Sequence, residues 1–156
     1  MLHAGASGVI NSSPEDIWAL VSNVTTVDQW NPSVARVELL SERPVGFGAA
    51  RRCHFRDGSN VREEIVAVDE RRRVRFKLTE FSLPMKRLEA EFILTPAGSS
   101  ATTVTFQLWY EMKMALLGKL IGATIVRRRL IQMATRVVAG VDRRMTEVKA
   151  HGHALP

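Results

Sequence analysis

The sequence predicts an α+β fold: a curved, seven-stranded antiparallel sheet wrapped around one long C-terminal helix. Three observations predict it. Strand-like runs fill Val34 to Lys113, and the later ones alternate apolar and polar residues, as half-buried antiparallel strands do. From about Leu116 to Lys149 the period becomes helical. Between the first strand-like segment and the others there is room and signal for only two short helices.

Residues 2–10 are apolar-leaning and read as the first strand. Ser13-Pro14-Glu15-Asp16 is a helix start: Ser13 caps, Pro14 suits the first helical position, and Asp16 sits three residues after the cap. Ile17, Leu20 and Val21 give that helix one apolar face. A second short helix covers Val27 to Trp30, where Pro32 stops it. Strands follow at Val34–Leu40, Ala49–Arg56, Val61–Val68, Arg73–Phe81, Lys86–Thr95 and Ala101–Lys113. Asp57-Gly58 is a hairpin turn signal between the second and third of these. In the final helix, 100° steps gather Leu116, Leu120, Ala123, Leu130, Ile131, Ala134, Val138, Val141, Met145 and Val148 into one stripe.

Composition bounds the function. A chain of 156 residues with 46% apolar and 24% charged residues is expected to form one globular domain, here residues 1–150, with 151–156 as a tail. The lone Cys53 excludes an intramolecular disulfide and a multi-cysteine zinc site, so no metal or cofactor is expected. The longest apolar stretch, Met114 to Val126, is interrupted by Lys119 and falls short of the roughly 20 residues a membrane span needs. The N-terminus lacks the basic and apolar regions of a signal peptide, so the expected location is the cytoplasm. The net charge of +6 permits attraction to anionic surfaces without specifying one. No nucleic-acid recognition module is visible.

The order β-α-α, six strands and a long helix is carried by a set of local motifs. They are Ser13-Pro14-Glu15-Asp16-Ile17-Trp18, Trp30-Asn31-Pro32, Val66-Ala67-Val68-Asp69 with Arg71-Arg72-Arg73, Leu94-Thr95-Pro96-Ala97-Gly98, and Thr102-Thr103-Val104-Thr105. In that order they resemble the START-like (SRPBCC) helix-grip superfamily, in its polyketide cyclase/dehydrase, lipid-transport-like branch. The resemblance covers essentially the whole chain. It implies a cavity between the concave sheet and the C-terminal helix that takes apolar ligands such as lipids, polyketides or aromatic hormones. It does not choose among functions, because the superfamily hosts enzymes and carriers alike.

The leading expectation is a noncatalytic binder or carrier of a hydrophobic small molecule. The alternatives are a polyketide cyclase/dehydrase-like enzyme and a protein-interaction module. Candidate ligand-binding residues are Trp30, Phe55, Glu63, Ile65, Phe76, Phe92, Phe106, Tyr110, Leu120 and Arg127; no catalytic residue is assigned. Phe55, Phe76, Phe92, Phe106 and Tyr110 fall at in-facing phases of four strands, where rings either line a pocket or fill the core. Arg127 lies about 20° from the centre of the helix stripe, where it must find a partner such as Glu63, Glu64 or Tyr110, line a wet cavity, or snorkel outward. Glu63 shares a phase with Val61 and Ile65, but Val66 and Val68 favour the other face, and a bulge would reconcile them. Cys53 and His54 point to opposite faces, which denies a Cys/His nucleophile. The basic run Arg127-Arg128-Arg129, with Leu116, Leu117, Leu120 and Ile121 nearby, admits peripheral contact with anionic lipid as well as an ordinary solvated face. The oligomeric state is not legible.

Overall fold

The structure, a computed structural model, describes residues 1–113 and 120–152; the side chains of Leu120 and Ile121 are not among those described. Among the described residues, seven strands and three helices follow the expected order. They are β1 (Leu2–Ile10), α1 (Pro14–Val21), α2 (Val27–Trp30), β2 (Val34–Leu39), β3 (Ala50–Phe55), β4 (Asn60–Asp69), β5 (Arg73–Thr79), β6 (Met85–Pro96), β7 (Thr102–Met112) and α3 (Leu120–His151). Strand ends differ from expectation by a residue or two. The expected helix residues 116–119 lie outside the described residues.

All strand pairs are antiparallel, in the order β1-β7-β6-β5-β4-β3-β2. Successive strands from β2 to β7 are therefore neighbours, and β1 closes the far edge. The α1–α2 segment carries the chain from one edge of the sheet to the other. Helix α1 starts where Ser13 Oγ accepts the Asp16 N–H at 3.2 Å, which satisfies one of the helix's unpaired first-turn donors.

Alternation decides what the sheet buries. Val104, Phe106, Leu108, Tyr110 and Met112 of β7 all point inward and are buried. The bulge that the Glu63 phase needed exists: the β4–β5 register shifts between Ile65 and Ala67. Ile65 then stands opposite Phe76 and Val68 opposite Val74, so the register turns apolar residues on both sides of the bulge to the side of Glu63, although Val68 near the strand end remains exposed. Over this surface α3 lays Leu130, Ala134, Val137, Val138, Val141 and Met145, at helical spacing. At Gly140 the helix approaches α2 closely. A Cβ there would stand 1.8 Å from the Trp30 carbonyl oxygen, so only glycine admits this packing. Among the described residues, no helix is long and apolar enough to cross a membrane.

Candidate ligand cavity

The concave side of the sheet carries one buried ion pair. Arg51 on β3 stands directly opposite Glu63 on β4. Its Nε–H donates to Glu63 Oε2 at 2.6 Å, and Nη2 lies 2.5 Å from the same oxygen. Its Nη1–H donates to the Val24 carbonyl at 3.3 Å, and the guanidinium centre lies 4.9 Å from the Phe76 ring centroid. Side-chain exposure is only 4% for Arg51 and 13% for Glu63. Burial alone would favour a neutral guanidine. The attraction and hydrogen bond of Glu63 outweigh it and hold the Arg51 pKa above its ordinary value. Both Arg51 contacts converge on Oε2, and the Cys53 thiol is a further hydrogen-bond partner of the Glu63 carboxylate.

Cys53, two residues along β3, shares this inner face and is buried. Burial and the Glu63 charge push its thiol pKa far up, and the opposing pull of Arg51 is smaller. The thiol is therefore neutral and unreactive at ordinary pH. His54 points the other way, with Nε2 3.5 Å from Glu38.

The pair opens onto a cavity of about 30 Å³, lined by Trp30, Asn31, Cys53, Phe55, Phe76, Phe92, Phe106 and their neighbours. Its aromatic wall is continuous. Trp30 meets Phe92 edge-on with centroids 5.5 Å apart, and Phe92 meets Phe106 at 4.7 Å. Trp30 is buried, yet its indole Nε1–H has no hydrogen-bond partner. Leaving such a donor dry costs about 1–3 kcal/mol. The volume suits about one water molecule, so the cavity is closed to a ring in this conformation. A wider groove of about 770 Å³ lies on the outside, along Glu15, Asp69–Arg73 and Ile93–Pro96. It is open, shared by charges of both signs, and away from the concave face.

The structure brings Trp30, Phe55, Glu63, Phe76, Phe92 and Phe106 together around this cavity. Ile65 and Tyr110 are buried in the core without lining it. Burial raises the Tyr110 pKa, against the opposing charge of Arg127. Arg127 itself is exposed and does not line the cavity, because the continuously buried stripe of α3 begins only at Leu130. Its other suggested partners are engaged: Glu63 with Arg51, and Glu64 with Arg62 at 2.8 Å. The Leu120 side chain lies outside the described residues. Sequence reasoning missed Arg51, the buried cation beside this cavity. The signal was present, since Arg51 is two residues from the inward Cys53 and so shares its face.

This architecture defines a helix-grip protein: a seven-stranded antiparallel sheet curved against a long C-terminal helix, with a mixed polar and aromatic cavity on the concave side. The chain belongs to the polyketide cyclase/dehydrase and lipid transport family, whose model matches residues 1–146. No curated protein matches the sequence. Solved structures share the fold at low identity. A START superfamily protein from Mycobacterium smegmatis has a TM-score of 0.77 at 16% identity, covering 94% of this chain and 98% of that one. The Zhui aromatase/cyclase from Streptomyces sp. R1128 has a TM-score of 0.75 at 15% identity, covering 98% and 99%. Norcoclaurine synthase from Thalictrum flavum, solved with dopamine and hydroxybenzaldehyde, has a TM-score of 0.70 at 15% identity, covering 94% and 87%.

Proposed function

We propose that this protein binds a largely apolar, ring-containing small molecule that carries at least one polar oxygen, and that it acts as a binder or carrier. The observation that supports this reading is the cavity's composition. Aromatic side chains line the cavity together with a buried Arg51–Glu63 pair, and Trp30, which also lines it, has an unpartnered N–H. Apolar burial supplies affinity, and the few polar groups fix orientation. A ligand oxygen accepting from Trp30 would remove the penalty of the dry donor, and a ligand hydroxyl would donate to the Glu63 carboxylate. Because the cavity is closed to rings, binding requires the aromatic wall to part.

Native mass spectrometry of the freshly purified protein, followed by denaturing extraction, tests the reading. The expected result is a stoichiometric adduct of aromatic, polyketide or lipid type. A bare mass that persists after incubation with a mixed lipid and polyketide panel would count against it.

One observation favours a second, enzymatic reading of polyketide-cyclase type. The Glu63 carboxylate and the Arg51 guanidinium together form a proton acceptor beside a cation, which suits proton movement during aldol cyclisation or dehydration. That reading predicts that Glu63→Gln lowers turnover without a matching loss of ligand affinity, whereas in a carrier affinity alone changes.

A further inference from the structure

Helix α3 is electrostatically divided. From Leu120 to Val141 it carries Arg127, Arg128, Arg129 and Arg136 and no acidic residue. Among the described residues none of these four arginines forms an ion pair. Beyond Val141 both signs appear, and two arginines are matched: Arg143 lies 3.7 Å and Arg144 3.8 Å from Glu147. The unmatched half also exposes apolar side chains. Ile125 is 49% and Met133 36% exposed. At 100° per residue Ile125, Arg129, Met133 and Arg136 fall within about 80° of one another, centred about 120° round the helix from the buried stripe of Leu130, Ala134 and Val141. The row spans about 17 Å along the helix at 1.5 Å per residue.

We infer that this face is a docking surface for an anionic lipid bilayer. Charge complementarity carries the choice: Arg129 and Arg136 stand unpaired within the row, Arg128 lies about 60° beyond its edge, and such cations attract an anionic leaflet, each basic residue near the surface strengthening binding about fivefold. Arginine stems lie along the interface while their heads reach the phosphates, and the interleaved Ile125 and Met133 enter the boundary between headgroups and acyl chains. A nucleic-acid backbone would use the charges but leave those two side chains without a role, and the face offers no aromatic platform for bases. The surface does not depend on what the cavity holds, so it stands or falls separately from the proposed function.

The test is cosedimentation of the full chain with vesicles of pure phosphatidylcholine and of phosphatidylcholine with 30 mol% phosphatidylserine, at about 0.05 M and 0.5 M salt. Binding is expected only to the phosphatidylserine vesicles, and it should fall steeply at high salt. The triple variant Arg128→Gln/Arg129→Gln/Arg136→Gln should lose binding by about a hundredfold, at about fivefold per charge. Ile125→Ser/Met133→Ser should weaken binding with all charges kept. Arg143→Gln, whose cation is already matched, should change it little. All these positions except Arg143's partner contacts are free of described ion pairs, and circular dichroism checks that each variant folds. Equal binding to both vesicle types, or wild-type binding by the triple variant, would overturn the inference. So would binding to duplex DNA that exceeds vesicle binding and ignores the Ile125/Met133 change.

Discussion

Arg51 and Arg52 are neighbours on β3, Glu63 and Glu64 are neighbours on β4, and the two sides of the sheet treat them differently. On the concave side Arg51 meets Glu63 in a pair almost sealed from water. On the convex side the register places Arg52 directly opposite Arg62, which is unfavourable for like charges. That side escapes by divergence: Arg52 turns to Glu80 and donates to Asn60 Oδ1 at 2.9 Å, and Arg62 turns to Glu64. With 31% and 35% side-chain exposure, Arg62 and Glu64 keep much of their hydration. The difference teaches where charge is expendable. A hydrated pair such as Arg62–Glu64 can be rearranged at little cost. Inside, each partner exists on condition of the other, since removing one strands a charge in an apolar wall. A family fold whose concave side could be filled entirely with hydrocarbon retains a guanidinium and a carboxylate there, which fits a side that must meet a polar group.

The largest expected effect comes from separating the inner pair. Glu63→Gln leaves Arg51 buried without its counter-charge and should destabilise the protein by about 3–5 kcal/mol in urea unfolding. The double change Arg51→Met/Glu63→Leu removes both charges and should restore stability to wild type or better. If the single variant costs no more than an outer variant, the inner pair is hydrated and the contrast fails.

Next comes the pH dependence of the same inner face. The folded state raises the Cys53 pKa, so the unfolded thiol ionises first as pH rises. The unfolded state then binds fewer protons than the native one. Stability from this group is complete below the unfolded thiol value, about 8.5, and falls above it by up to about 1.4 kcal/mol per pH unit. Chemical unfolding at pH 7, 9 and 10 should show this slope, and Cys53→Ala should abolish its thiol component. A slope indifferent to Cys53→Ala would mean the thiol is not shielded as described.

The smallest effect should be outside. Glu64→Gln should change stability by less than about 1 kcal/mol, with any loss diminished by salt. A larger loss would place Arg62 and Glu64 on the buried side of the ledger.

The fold was legible because its rules are local. Alternation in Ala101–Lys113 and the helical stripe after Leu130 show directly in the side-chain order, and Ser13-Pro14 marks a helix start with its own hydrogen bond. The site was legible for its rings and not for its charges. Phe76, Phe92 and Phe106 follow simple phases. Glu63 did not, because a bulge two residues on makes both phases of β4 apolar. Arg51 was obscured by Arg52: two adjacent arginines look like a wet strand until the hairpin register places one of them opposite Glu63. Arg127 misled for the opposite reason. An ideal wheel puts it near the apolar stripe, but position on a wheel is not burial, and this part of α3 leaves the side chain in water.

The central claim is that the Arg51–Glu63 cavity takes a ring-bearing ligand with a polar oxygen. The most direct measurement is a titration with 1,8-dihydroxyanthraquinone, a hydroxylated polycyclic ketone, followed by tryptophan fluorescence. Wild type and the folded Arg51→Met/Glu63→Leu variant are compared. The account predicts saturable one-to-one binding to wild type, weakened about tenfold or more in the variant, as for the loss of hydrogen bonds to charged groups. Equal affinity for the two proteins, or no saturable binding to wild type, would contradict it.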